Sequence, residues 1–253
     1  MRAGRLLGTT ILSVGMSAIL WGLPGPATAA PILLGPTPYL SFNDSPFAGE
    51  SFAYFYLENF EDGVLNTPGV SLSVTSPSST VTTPTMFTDS VDADDGSIDG
   101  SGHGASLYLG GPSTSPSFSS ATFTFDETIL GALPTHVGIV WTDVGFSTNP
   151  VYGFGLVSFE AFDATASSLG TIGPTPIGDG LGAGQTAEDR FFGVTNSGGI
   201  SKITISMDSH DWELDHLQYG QYVGQPVPEP STWLLFTSGL AVVGMILWKK
   251  RRA

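Results

Sequence analysis

Between residues 30 and 220 the apolar residues never keep a three-to-four-residue repeat. They alternate instead. Thr122-Phe123-Thr124-Phe125 and Lys202-Ile203-Thr204-Ile205-Ser206 change character at every step. Successive side chains of a strand point to opposite faces, so such a run buries one face and wets the other. Short runs rich in aromatic and β-branched residues are separated by Gly, Pro, Ser, Thr and Asp, the residues of turns. The spacing predicts strands at 39–42, 51–58, 70–75, 106–109, 121–126, 136–142, 153–163, 190–194, 200–207 and 213–219. About ten strands and no internal repeat predict an all-β domain, a single antiparallel β-sandwich of jelly-roll type over 30–220.

Three stretches read as long loops: 76–84, 110–117 and 173–185. The last holds alternating glycines, Gly178-Asp179-Gly180-Leu181-Gly182. A nucleotide-binding turn needs a strand before the glycines and a helix after them. Here Pro174 and Pro176 precede and a polar stretch follows, so a surface loop is expected.

Both chain ends depart from this pattern. Arg2 and Arg5 precede a largely apolar stretch over 6–23. Pro24, Gly25 and Pro26 break it, and Ala27-Thr28-Ala29 follows. That is the layout of a secretory signal peptide, 1–29, cut after Ala29. At the other end Val227-Pro228-Glu229-Pro230 precedes an apolar run over 233–248, bracketed by Trp233 and Trp248, and then Lys249, Lys250, Arg251 and Arg252. Sixteen helical residues reach about 24 Å, short of a bilayer core, and the flanking Ser231, Thr232 and lysine stems extend the reach. Tryptophan at both borders and a basic end predict a transmembrane helix at 233–248, a cytoplasmic tail at 249–253 and the preceding domain outside. Residues 221–232 are then a linker.

With both ends set aside, the charge balance changes. Of eight Lys and Arg, two lie in the first segment and four in the last. Arg190 and Lys202 are left against all 23 Asp and Glu, so 30–230 carries −21. A surface with so few cations excludes nucleic acid as a partner. The chain has no cysteine, which excludes disulfides, thiol catalysis and iron–sulfur ligation.

The order of Pro-Glu-Pro, apolar span and basic end resembles the sorting region of bacterial PEP-CTERM proteins. The resemblance implies an exosortase-type membrane protease as partner, with processing at Val227, Pro228, Glu229 and Pro230. It implies a chain that is anchored after export and then reaches the cell surface or extracellular matrix. Phe60-Glu61-Asp62-Gly63, Thr67-Pro68-Gly69-Val70 and Ala187-Glu188-Asp189-Arg190-Phe191-Phe192-Gly193 are similar to pieces of other such exported domains, and imply no activity. Arg190, beside Glu188 and Asp189, is expected to form a structural ion pair.

Two segments carry chemistry. Asp89, Asp92, Asp94, Asp95 and Asp99 crowd a Gly- and Ser-rich stretch. Hard oxygen donors on such a loop suit calcium, and a dication would relieve their repulsion. The spacing is not that of an EF-hand, and a solvated acidic turn is the alternative. The second segment holds Glu213 and Asp215, with His210 and His216. It is similar to the closing strand of lectin-like, carbohydrate-binding jelly rolls, a likeness that implies a structural calcium at Asp215 with Glu213 beside it. The histidines are either further ligands or hydrogen-bonded to neighbours.

No G-x-S-x-G elbow or H-E-x-x-H motif is present. Glu160 and Asp163 are three apart on a predicted strand and face apart, a poor pair for glycoside hydrolysis. Trp141, Trp212, Tyr108, Tyr152 and Tyr219 are either a sugar-stacking platform or core. The expected function is therefore a non-enzymatic, envelope-associated surface or matrix protein with an extracellular polysaccharide as partner. A secreted carbohydrate-active enzyme on the same jelly roll is the alternative.

Overall fold

The computed structural model describes residues 29–76, 78–81, 89–91, 104–110, 118–146, 156–178, 188–208 and 210–224. In chain order the strands are β1 (Ile32–Pro38), β2 (Phe52–Glu58), β3 (Val70–Val74), β4 (Ser78–Val81), β5 (Leu107–Gly110), β6 (Ser119–Phe125), β7 (His136–Phe146), β8 (Leu156–Asp163), β9 (Ser168–Pro176), β10 (Arg190–Thr195), β11 (Ile200–Met207) and β12 (His210–Tyr222). Helix is confined, among the described residues, to α1 (Glu127–Leu130) and isolated 3-10 turns. None of it is long and apolar enough to cross a membrane. The apolar run at 233–248 lies outside the described residues.

The strands form two antiparallel sheets. The first runs β1-β10-β7-β12-β5-β4, with β2 also paired to β12. The second runs β3-β6-β11-β8-β9. The alternation read from the sequence sets the second sheet. Ile203 lies opposite Phe123 and Ala161, and Ile205 opposite Ala121 and Phe159. All six side chains are fully buried. The intervening residues face outward: Ser73, Thr122, Thr204, Glu160 and Thr171 are successive partners across all five strands. The Thr122 and Thr204 hydroxyls are 2.9 Å apart.

The first sheet is buried on both faces, which its sequence did not announce. Its inner face supplies Val137, Ile139, Trp141, Phe192, Val194, Trp212, Leu214, Leu217 and Tyr219 to the main core. Its outer face lies under residues 39–50, where Tyr39, Phe47, Val91, Val140 and Phe191 make a second, smaller core. Gly138 and Gly193 permit this layer, because a β-carbon at either would strike the Phe191 ring. Phe191 stacks on Tyr39 and meets Phe47 edge-on, with centroids 6.0 and 5.5 Å apart.

Four predicted elements are corrected. Residues 39–42 are not a strand: Ser41 caps a 3-10 turn at Phe42–Asp44, with Asp44 returning the bond in a capping box. The strand of this region is β1, just before. The loops at 76–84 and 173–185 contain β4 and the end of β9. β1, β4 and β9 are all edge strands, where proline and small polar residues are tolerated because one side of the backbone needs no partner. Such strands look like turns in sequence. Finally, β12 runs to Tyr222, past the predicted domain end at 220.

Strand direction gives the sandwich two unlike ends. Ile32, Phe52, Val70, Phe125, His136, Asp163, Ser168, Thr195, Ile200 and Tyr222 lie at one end, closed by the connections 126–135, 164–167 and 196–199. Both ends of the described chain leave there. Val74, Ser119, Phe146, Leu156, Pro176, Met207 and His210 lie at the other end.

Candidate functional site

The acidic side chains of β12 do not face water. Glu213 and Asp215 point from the outer face of the first sheet into the segments that cover it. The Asp89 N–H donates to Glu213 Oε2 at 2.6 Å. The Val91 N–H donates to Asp215 Oδ2 at 2.9 Å, and the His216 N–H to Asp215 Oδ1 at 2.6 Å. Ser90 Oγ lies 3.0 Å from Asp215 Oδ2 and 2.9 Å from Glu61 Oε1. Glu61 Oε1 also accepts the Ala105 N–H at 2.7 Å. Three carboxylates thus clasp two separate pieces of chain, 89–91 and 104–106, against the sheet. Gly104 passes so close that a β-carbon there would collide with Ser90 Oγ and Glu61 Oε1.

A bulge in β12 makes this possible. The register to β7 shifts between Asp215 and Gln218, and His216 takes φ +43°. That left-handed residue lets Leu214 and Leu217 both reach the core while Asp215 and His216 turn to the cover. A buried relay follows. Ser45 Oγ donates to Gln218 Oε1 at 2.6 Å, and Gln218 Nε2 to Tyr39 Oη at 2.8 Å. Tyr39 Oη lies 2.9 Å from His216 Nδ1. Which of the two donates depends on the tautomer of the imidazole.

Burial holds the Glu213 carboxyl well above the usual carboxylate range. The neighbouring Asp143 and Asp89 charges push the same way, against the Asp89 amide and the Ser106 hydroxyl. Glu213 therefore keeps its proton further up the pH scale than an exposed glutamate. Asp143, Glu188 and Asp189 are buried too. Arg190 Nη1 donates to the Asp189 backbone carbonyl at 2.8 Å.

Of the seven calcium candidates, the structure brings Asp89 to Glu213, and the residues next to Asp89 to Asp215. The start of the acidic stretch, Asp89–Val91, thus lies against the closing strand, although the two were separate candidates in sequence. Asp92, Asp94, Asp95 and Asp99 lie outside the described residues. Among the described residues no three His, Asp or Glu side chains converge with metal-holding geometry. The oxygens of Glu213 and Asp215 instead receive backbone amides. His216 Nδ1 lies within hydrogen-bonding distance of Tyr39 Oη. Trp141, Trp212 and Tyr219 are core, Tyr108 is half-buried and Tyr152 lies outside the described residues, so three of the five take the core reading. Sequence reasoning missed Glu61, Ser90 and Gly104, whose roles come from a fold-back that no local pattern records.

Two recesses open at the chain-terminus end. One, about 540 Å³, lies between Ser71, Thr124, Glu127, Ile129 and Ser201. The other, about 400 Å³, lies between Ala30, Ile32, His136, Asn196 and Tyr222. Neither is lined by Glu213, Asp215 or Asp89.

Residues 226–252 match the PEP-CTERM protein-sorting motif. The chain carries that sorting signal, which covers Val227, Pro228, Glu229, Pro230, Trp233, Trp248, Lys249, Lys250, Arg251 and Arg252. These lie outside the described residues. No curated protein matches the chain. One solved structure with which it aligns is titled "Structural basis for the promiscuous specificity of the carbohydrate-binding modules from the beta-sandwich super family". Identity is 15%, the TM-score is 0.24, and the match covers 65% of this chain and 61% of that one. The chain thus spans about three fifths of that protein's length.

Proposed function

We propose that this is an exported, non-enzymatic protein of the cell surface or extracellular polymer, held first by its C-terminal segment and then processed by an exosortase-type membrane protease. One observation carries the reading: the sorting motif begins at residue 226, two residues after Gly224, where β12 has just closed the sandwich. The last described strand ends before the signal starts, so cleavage within the signal leaves every described strand in the chain. Replacing Pro228, Glu229 and Pro230 together by alanine should leave full-length protein in the inner membrane of a host that has the protease. Processing and surface display like wild type would sink the reading.

The same proposal makes an extracellular polysaccharide the partner of a jelly-roll-type, lectin-like domain. The hydroxyl-rich outer face of the second sheet supports it, because Ser73, Thr122, Thr204, Glu160 and Thr171 form a row of donors and acceptors across five strands. A glycan array should show binding that Thr122→Val with Thr204→Val removes while the melting temperature holds. Calcium belongs to the proposal as a structural ion on the acidic stretch, next to the Glu213–Asp89 contact.

One observation favours the alternative of a carbohydrate-active enzyme. Glu213 is a raised-pKa carboxyl beside Asp143 and Asp89, the pairing that acid–base chemistry uses. Yet Glu213 is only 4% exposed, beneath Asp89–Val91. Hydrolysis of a polysaccharide panel that Glu213→Gln abolishes would replace the non-enzymatic reading.

A further inference from the structure

The exposed apolar side chains of the domain are not scattered. Six large ones stand out among the described residues: Ile32, Val64, Phe118, Ile129, Tyr222 and Val223. Four of them, Ile32 (58% exposed), Ile129 (64%), Tyr222 (36%) and Val223 (47%), lie at the chain-terminus end. Three separate parts of the chain supply them: the start of β1, the short helix α1, and the last residue of β12 with its neighbour. Hydrogen bonds hold these parts in place. The Val223 N–H donates to the Ser51 carbonyl at 3.0 Å, and the Tyr222 N–H to Thr135 Oγ1 at 2.9 Å. Asp126 Oδ1 caps α1 by accepting the Thr128 N–H at 2.7 Å. The apolar rim is therefore a property of the fold and not of a loose tail.

The chain also says what lies next to this end. Eight residues, nine Cα–Cα steps, separate Gly224 from Trp233, about 30 Å of extended chain. A tether that short keeps the end close to whatever holds the apolar run. Tyrosine favours the headgroup level of a bilayer, and isoleucine and valine favour the layer beneath it. Charge narrows the surface further. Glu50, Asp126, Glu127 and Asp163 border this end, and Lys202 stands one pleat further along β11. Anionic lipid would be repelled by such a border.

We propose that, while the chain is membrane-held, the sandwich stands with this end on a zwitterionic bilayer, with Ile32, Ile129, Tyr222 and Val223 in the headgroup region. The opposite end, where β6 begins, then points away from the membrane. This rests on the membrane-held stage of the proposed function, and one experiment tests the two separately. The chain has no cysteine, so a single cysteine at Ile32, Ile129, Val223 or Phe118 takes one fluorophore. Phe118 precedes β6 at the opposite end and is 66% exposed, so it serves as the reference. Each full-length variant is reconstituted with phosphatidylcholine vesicles whose acyl chains carry bromine. The labels at 32, 129 and 223 should be quenched at least twofold and the label at 118 unchanged. A chain that does not float with the vesicles overturns both proposals. A chain that floats with quenching at 223 alone, or equal at 118, overturns this one and leaves the anchoring reading standing. Ile32→Glu with Ile129→Glu should halve the quenching at 223 without altering flotation.

Discussion

Glu213 shows how one side chain can record the layer placed over it. It has the composition of a wet residue on an alternating strand, yet the 89–91 segment removes it from water. Because its carboxyl titrates above its unfolded value, the folded state binds the extra proton. Stability is then fully present below the unfolded value, about 4.3 for glutamate. It falls as pH rises from there through the folded value, by up to about 1.4 kcal/mol per pH unit. Glu213→Gln keeps the acceptor for the Asp89 amide and discards the titration. Its melting temperature, followed in chelator, should exceed wild type at pH 8 and match it near pH 4. Parallel curves for the two proteins across that range would show that Glu213 is not the buried acid. Gly104 belongs to the same neighbourhood and makes a cleaner steric test. A methyl group there has nowhere to go except into Ser90 and Glu61, so Gly104→Ala should cost about 1–3 kcal/mol by overpacking. Chemical denaturation would read it, and a cost below about 0.5 kcal/mol would mean that the 104–106 segment is free to shift.

Among the elements, β11 and β12 mark the boundary of what the sequence could say. β11 alternates, and the structure uses that alternation as written: Ile203 and Ile205 go in, Thr204 stays out. Ile203→Ala should therefore cost about 2–5 kcal/mol, the range for emptying a full core position. A loss under about 1 kcal/mol would contradict the packing of the second sheet. β12 alternates on either side of its bulge, but its polar residues are buried as well, because segments about 120 and about 170 residues earlier fold over them. Nothing local marks that event. The bulge at His216 and the glycines under Phe191 are its traces, and each has ordinary local explanations. The edge strands failed for the opposite reason: β1 and β9 carry prolines that read as turns, and only pairing on one side makes them strands. The acidic residues were legible as chemistry and illegible as geometry, since the contact between Asp89 and Glu213 spans the whole fold.

At the scale of the molecule the open issue is how −21 over 30–230 is held together. Protons are one answer, favoured at Glu213 by its burial. Calcium is the other, and the two make opposite predictions. If protons alone stabilise the acidic neighbourhood, stability should fall from pH 5 to pH 8 with or without calcium. If calcium occupies the stretch from Asp89 to Asp99, the ion replaces the protons, and added calcium should flatten that fall. A ligand at a hundred times its dissociation constant that binds only the folded state adds about 2.7 kcal/mol. For a domain of this size that is roughly 5–10 °C in melting temperature. At pH 7.5, chelation should lower the melting temperature by that amount, and calcium should restore it where sodium at equal ionic strength does not. Asparagine at Asp92, Asp94 and Asp95 together should remove most of the response while leaving the Glu213 contact intact. Asparagine at Asp215 should weaken the clasp on Ser90 and Val91 whether or not calcium is added, because that carboxylate is occupied by backbone. The two variants therefore separate an ion site on the acidic stretch from a latch on the strand. Identical melting curves in calcium, chelator and matched sodium would leave protons as the counter-charge, and the acidic stretch as a solvated turn beside a buried latch.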